Sequence, residues 1–174
     1  MQDSQTNVLL RLPKDSDREY LYRWINDREL VICNAPFKKI TEKEHADWFQ
    51  NICRASTDRV FFIIELVSKG VPIGSCQLLN IHSDHRSAEL QIRIGEWSAH
   101  GRGYGTEAIK QLVKFGFENL KLHRIALQVF ASNQQAIRSY EKSGFKAEGC
   151  LKEAACIDGA FLDIIVMGIL NSNE

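Results

Sequence analysis

Three glycines fall within five residues, at Gly101, Gly103 and Gly105, with Arg102 between them and Thr106 directly after. The chemistry this suits is anion binding. Glycines let the backbone take unusual dihedrals, and they let a phosphate approach without meeting a Cβ. Arg102 adds a full positive charge at the rim. The loop does this best where it opens a helix, because the first N–H groups of a helix lack intrahelical partners and the macrodipole leaves partial positive charge there. The flanks supply that setting. Upstream, Leu90, Ile92 and Ile94 alternate with Gln91, Arg93 and Gly95, the period of a strand with one buried face. Downstream, Ile109, Leu112, Val113, Gly116 and Leu120 mark a helical stretch over 106–120. The expected ligand is a phosphate or pyrophosphate. The other reading is a plain strand–turn–helix connection whose glycines serve only the turn.

The rest of the chain supplies a frame for this unit. An apolar run over 8–12 ends at Pro13 and reads as the first strand; Asp15 or Ser16 then caps a helix through Tyr20, Leu21, Trp24 and Ile25. An irregular loop follows through Pro36 and Phe37. Thr41-Glu42-Lys43-Glu44 is a capping box that opens a second helix through His45, Trp48, Phe49 and Ile52. Residues 60–67 form a nearly unbroken apolar strand, Lys69-Gly70 turns the chain into 72–81, and a polar turn over 82–86 returns it to the strand that begins near Ala88. Connections this short predict an antiparallel meander. The helix over 106–120 then crosses to a strand over 125–130, a unit that makes its two strands parallel. Ser132-Asn133 caps a helix carrying Ala136, Ile137 and Tyr140, which Gly144 closes. Two strands, 145–152 and 160–170, finish the chain around an Asp158-Gly159 turn. Trp24, Phe37, Trp48 and Phe49 fit either an ordinary core or the walls of a substrate pocket.

Composition narrows the class. A length of 174 residues predicts one domain over 1–174. Lys plus Arg and Asp plus Glu stand at 22 each, so no overall field favours nucleic acid or an anionic membrane. No apolar run reaches the roughly 18 residues of a membrane span, and no signal-peptide pattern is present, so a soluble cytoplasmic protein is expected. The five cysteines (Cys33, Cys53, Cys76, Cys150, Cys156) form no C-x-x-C pair and read as reduced thiols, mostly buried. The histidines lack metal-ligand spacing, so no metal is expected.

No Gly-Lys-Ser/Thr ending makes the loop a Walker motif, and G-x-G-x-G after a long connection is not the dinucleotide fingerprint. The stretch His100-Gly101-Arg102-Gly103-Tyr104-Gly105 resembles instead the acetyl-CoA pyrophosphate loop of GNAT N-acetyltransferases, Gln/Arg-x-x-Gly-x-Gly/Ala, with His100 as the departure. A second stretch, from Asn133 through Ala136, Ile137, Tyr140, Lys142 and Gly144 to Phe145, resembles that family's N-x-x-A-I-x-x-Y-x-K-x-G-F signature. The element order matches over nearly the whole chain. The resemblance implies an α/β (α+β) GNAT fold: a single mixed, mostly antiparallel sheet splayed between its fourth and fifth strands, with helices on both faces. Acetyl-CoA, as co-substrate, would lie in that splay. Its pantetheine amides would pair with the backbone of Ile92 and Ile94, its pyrophosphate would sit on the amides of 102–106, and Asn133 would reach the pantetheine arm while also capping its helix.

The same resemblance implies the catalytic roles. Tyr140 matches the tyrosine whose hydroxyl protonates the departing sulfur; the other reading is a packed tyrosine with one hydrogen bond. Glu89 stands where relatives place a carboxylate, as a base, as a holder of the substrate cation, or as a solvated strand-end residue. The Ile94 N–H is the analogous donor to the acyl oxygen. Within the family the chain looks most like the RimJ/RimL-type branch. The run Arg23-Trp24-Ile25-Asn26-Asp27, followed by His45-x-x-Trp48-Phe49, resembles the amino-sugar nucleotide N-acetyltransferases. That places Trp24, Asn26, His45 and Trp48 at the acceptor, with Phe37 joining them as a candidate pocket wall. The expected activity is acetyl transfer to a primary amine through a ternary complex. The acceptor would be an amino-sugar nucleotide, a protein N-terminus or a polyamine, spermidine being disfavoured because Glu29, Glu42 and Glu44 are mixed with Lys38, Lys39 and Lys43. A non-catalytic acyl-CoA-binding module is the alternative of a different class, and a homodimer is a possible assembly.

Overall fold

In the computed structural model, which describes residues 6–172, the strands are β1 (Val8–Arg11), β2 (Val60–Leu66), β3 (Val71–His82), β4 (Ser87–Ile94), β5 (Arg124–Phe130), β6 (Lys146–Ile157) and β7 (Ala160–Leu170). They make one sheet in the order β1-β2-β3-β4-β5-β7-β6. The helices are α1 (Arg18–Ile25), α2 (Arg28–Val31), α3 (Glu42–Ile52), α4 (Tyr104–Glu118) and α5 (Gln134–Lys142). The expected meander is present, with β2, β3 and β4 antiparallel in turn, and β4 and β5 are the parallel pair. That pairing stops early. Ser87, Ala88 and Glu89 face Arg124, Ile125 and Ala126, and nothing pairs β4 to β5 from Leu90 and Leu127 onward. The sheet therefore opens into a wedge at this point, as the resemblance implied.

Both faces of the sheet are covered, which is why β2 reads as an unbroken apolar run. Its alternate residues feed two cores. Ile64 joins Leu78, Leu90, Leu112, Ile125 and Leu127 under α4 and α5, while Phe61 and Ile63 join Leu21, Trp24, Leu30 and Phe49 under α1, α2 and α3. The Thr41 capping box forms as its spacing predicts, the Thr41 hydroxyl accepting from Glu44 N and the Glu44 carboxylate from Thr41 N.

Four local expectations are corrected. The first helix is entered through a 3-10 turn over Asp15–Asp17, and the carboxylate that secures it is neither Asp15 nor a Ser16 cap. It is Asp17, 1 % exposed, which accepts from both Arg11 amines at 2.7 and 2.8 Å and from Lys14 N at 2.7 Å. The loop before Pro36 contains α2, capped by Asp27, whose carboxylate accepts from Leu30 N. Of the cysteines only Cys76 is buried. Cys76 points from a central strand into the α4-side core, whereas Cys150 and Cys156 lie on β6, which is exposed along nearly its whole length because it is a sheet edge. β6 also runs past Lys152, its pairing resuming at Ala155 after an irregularity where Asp163 takes Lys152 Nζ (2.8 Å) and Glu153 N (2.9 Å).

Candidate active site

The glycine loop lies between β4 and α4. Gly103 caps α4 in the left-handed region (φ +83°), and Gly101 has φ +71°. A Cβ at either would meet nothing within 4 Å, so the space over both glycines is open. Gly105 is backed by Ile94, 3.6 Å from where its Cβ would stand. The first amides of α4 thus open onto a glycine-walled hollow with Arg102 exposed at its rim, a fit for a diphosphate. Tyr104 packs inward against the α4-side core. Thr106 is half-buried, its carbonyl taking the Ser143 hydroxyl at 3.4 Å and so tying the end of α5 to the start of α4. His100, expected among the cofactor-binding residues, has its Nε2 2.9 Å from the Ile94 carbonyl and its ring 4.8 Å from that of Trp97.

The free edge of β4 follows from alternation. Gly95 N bonds to Ile73 O on β3, and successive residues of a strand send their main-chain groups to opposite sides. Arg93 therefore also faces β3. Ile94 and Ile92 turn their N–H and C=O groups toward β5, where no strand receives them. His100 occupies the Ile94 carbonyl and leaves its N–H. The Ile92 N–H and C=O and the Ile94 N–H, unpaired on an open strand edge, are a template for an extended amide-bearing chain.

Across the wedge, Asn133 caps α5 by accepting from Ala136 N at 3.1 Å, and its amide nitrogen donates to Cys33 O at 3.2 Å. Both ends of that side chain are in use within the protein. Tyr140 is 7 % exposed, its ring 5.9 Å from Phe145. Its hydroxyl has no hydrogen-bond partner among the described residues, and burial pushes its pKa up to about 12. Lys142 is exposed in the last turn of α5.

Glu89, Gln91 and Arg93 lie on the opposite face of β4, toward the α1–α3 side. Glu89 is exposed in the last paired position before the strands part. Of the five residues expected at the acceptor, three serve the frame. Trp24 is buried, its indole N–H donating to Glu96 at 3.0 Å. The Asn26 side chain bridges Tyr22 O, Ile40 O and Ile40 N. His45 is buried between Tyr22, Trp48 and Phe49 beside a cleft of α1 and α3, where burial and nearby Arg18 lower its pKa. Phe37 is half-buried. Trp48 borders a polar depression of about 440 Å³ that also touches Asn51, Arg59, Gln77 and Leu79, and Gln77 and Leu79 stand beside Gln91 and Glu89 on β4.

Sequence reasoning passed over Arg93 and the strap after α2. Arg93 Nη2 donates to Asn34 Oδ1 at 3.0 Å while its Nε is sealed from solvent without a partner. Cys33 and Asn34 thus touch both arms of the wedge, Asn133 on one side and Arg93 on the other. No signal in the sequence marks this, since the partners lie 59 and 100 residues away. Among the described residues no group of acids, cysteines and histidines is placed to hold a metal, and no helix is long and apolar enough to cross a membrane.

Known proteins match this architecture. The chain is 30% identical over 169 residues to the spermidine N(1)-acetyltransferase of Vibrio cholerae, covering 96% of this chain and 95% of that one. A crystal structure of spermidine N-acetyltransferase from Vibrio cholerae in complex with CoA and spermine superposes with a TM-score of 0.86 at 28% identity, over 97% of this chain and 98% of that one. A dodecameric structure of the Vibrio cholerae enzyme in an intermediate state matches with a TM-score of 0.80 at 28% identity, over 97% and 96% of the two chains. The family model of the acetyltransferase (GNAT) domain matches residues 7–146: this chain belongs to the GNAT acetyltransferases.

Proposed function

We propose that this acetyltransferase moves the acetyl group of acetyl-CoA to a primary amine in a ternary complex, the two substrates meeting where β4 and β5 part. The observation that carries the reading is the unpaired edge of β4 at Ile92 and Ile94, leading from the glycine-walled hollow to Glu89. The co-substrate supplies an acetyl group activated as a thioester. The residues of the chain do the rest. Amides at the start of α4 hold the diphosphate, with Arg102 at the rim. The Ile94 N–H donates to the acyl oxygen as it gains charge. Glu89 takes the proton of the incoming ammonium, directly or through water, since a lysine-like amine has a pKa of about 10.4.

Tyr140 serves the leaving sulfur as general acid: burial raises its pKa to about 12, so the hydroxyl stands protonated at neutral pH and donates to the sulfur as the thiolate departs.

Two acceptor classes head the panel. The polyamine acetyltransferases among the relatives favour spermidine or spermine. A second reading, an acceptor that brings negative charge such as an amino-sugar nucleotide, is favoured by the side chains around the wedge. Glu96 is engaged by Arg23 and Trp24, and Asp27 by Trp97 and Leu30 N, while Arg93 has no counter-ion. Release of free CoA thiol with polyamines, amino-sugar nucleotides and N-terminal peptides distinguishes them. Binding of acetyl-CoA without thiol release on any amine would make the chain a binding module instead. Self-association is proposed through the exposed β6–β7 edge, where Leu151 and Phe161 are 46 % and 66 % exposed. A monomer at micromolar concentration by light scattering would refute it.

A further inference from the structure

The reaction described so far gives Arg93 no role. This residue sits on β4 between Ile92 and Ile94, but its side chain leaves the strand on the Glu89–Gln91 face. Its Nε is closed off from water with no hydrogen-bond partner, and of its guanidinium only Nη2 is bonded, to the neutral Asn34 amide oxygen. Among the described residues no carboxylate pairs with it. By contrast Arg11, Arg23, Arg28 and Arg124 each have an acid partner. A guanidinium carries its charge at any accessible pH, and a partly desolvated charge without a counter-charge is costly. Chains keep such a group where something anionic arrives to meet it.

We propose that Arg93 reads the acceptor, its guanidinium taking an anionic oxygen group, phosphate or carboxylate, borne by the same molecule that presents the amine at Glu89. The inference rests on the acetyltransferase reading and narrows its substrate class. Glu89 and Arg93 are four residues apart on one strand face, so their Cα atoms lie about 13 Å from each other. With both side chains reaching inward, this suits an amine and an anion several bonds apart in one molecule. The planar fork of donors matches phosphate or carboxylate two-pronged. A polycation offers nothing to this group and would be repelled by it. Asn34 orients the fork from the strap, which makes the strap part of the acceptor site.

The test uses the full chain and matched amines with and without the anionic group: glucosamine 6-phosphate against glucosamine, and glycylglycine against its amide, with spermidine alongside. CoA thiol release gives kcat/KM for each. The expected result is a preference for one anionic member over its neutral match, and a fall in that preference of about 10–100-fold in Arg93→Met, with Arg93→Lys in between. The phosphate and carboxylate pairs tell the two sources apart. Binding of CoA by calorimetry confirms that each variant is folded. If no probe is turned over, calorimetry of glucosamine 6-phosphate, UDP and glycylglycine on the CoA-loaded protein decides. Binding that weakens at least tenfold in Arg93→Met supports the proposal. Absence of binding, or equal binding to the variant, overturns it. Turnover of spermidine with no preference for an anionic partner also overturns it and leaves the acetyltransferase reading intact. Failure to bind CoA at all would instead remove that reading.

Discussion

Replacing Gly103 by leucine separates the fold from the cofactor site, because a second glycine provides a matched control. Gly103 and Gly70 both have positive φ, +83° and +62°, and at both a Cβ would find nothing within 4 Å. Holding an L-residue there costs about 1–2 kcal/mol in either place. For a domain of this size that lowers the melting midpoint by about 2–8 °C. The two positions differ in what the side chain would cover. Gly70 ends the turn between β2 and β3 and caps no helix, whereas Gly103 caps α4, so a leucine there stands over the first amides of that helix. Displacing a diphosphate from two such amides loses charge-assisted bonds of about 1.5–3 kcal/mol each. The sum, about 3–6 kcal/mol, weakens CoA binding by about 10²–10⁴-fold. Calorimetric titration with CoA at fixed salt, with thermal melts of both variants, makes the comparison. Wild-type affinity in Gly103→Leu, or an equal loss in Gly70→Leu, would refute the assignment of the hollow.

Three further outcomes follow from particular contacts. Tyr140→Phe lowers kcat by about 10–100-fold, the worth of one hydrogen bond to a charged sulfur, with CoA affinity unchanged; because burial holds the hydroxyl at about 12, the wild-type kcat shows no alkaline fall from this group up to pH 10, and single-turnover rates against pH check both points. Burial alone would raise the Asp17 carboxyl, but Arg11 and the Lys14 amide overcome it and hold the pKa below its usual range. A lowered folded pKa contributes stability that is complete above the unfolded value of about 3.9 and is lost as pH falls through the folded value. Asp17→Asn therefore costs about 3–5 kcal/mol at pH 7 and flattens the acid limb; urea midpoints from pH 7 to 2 that keep the wild-type slope would count against the pair. Gly95→Ala places a Cβ 2.1 Å from the Trp24 ring, whose indole is held by Glu96, so overpacking of about 1–3 kcal/mol should show as a lower melting midpoint and a changed tryptophan emission.

What could be read before any coordinates was whatever depends on neighbours along the chain. The meander follows from strands with period two and connections of a few residues, and the crossover to β5 follows from the helix between. The Thr41 box and the Asn133 cap are local bonds, three residues wide, and both formed. Where readings failed, the deciding partner was remote or the element too short to show a period. α2 is four residues, Arg28–Val31, too few for helical spacing to appear. Trp24, Asn26 and His45 share a stretch with the acceptor loops, but Glu96, Ile40 and Tyr22 draw them into the frame. Arg93 looked like an ordinary outward residue of an alternating strand. What encloses it is a strap from another part of the chain. Cysteine burial failed for a similar reason, since β6 became an edge only because β7 inserted between it and β5.

β4 explains how one fold can keep its acyl donor while changing its acceptor. Along this strand three properties separate by geometry. Main-chain groups of Ile92 and Ile94 face the wedge, their side chains pack toward α4, and Glu89, Gln91 and Arg93 occupy the far face. Side-chain direction alternates strictly along a strand, so replacing a residue on the far face moves neither the free edge nor the core. On the proposed assignment, acceptor specificity can drift at the exposed positions Glu89 and Gln91 at a cost in stability of about 0.5 kcal/mol or less, while the thioester site rests on main chain that no substitution removes. A relative 30% identical over nearly the whole chain can thus share the donor site and differ at Arg93's position. The strap is the exception to this separation. Cys33 O accepts from Asn133 and Asn34 Oδ1 accepts from Arg93, so on the proposed assignment a change that reshapes residues 32–34 reaches the donor side and the acceptor side at once.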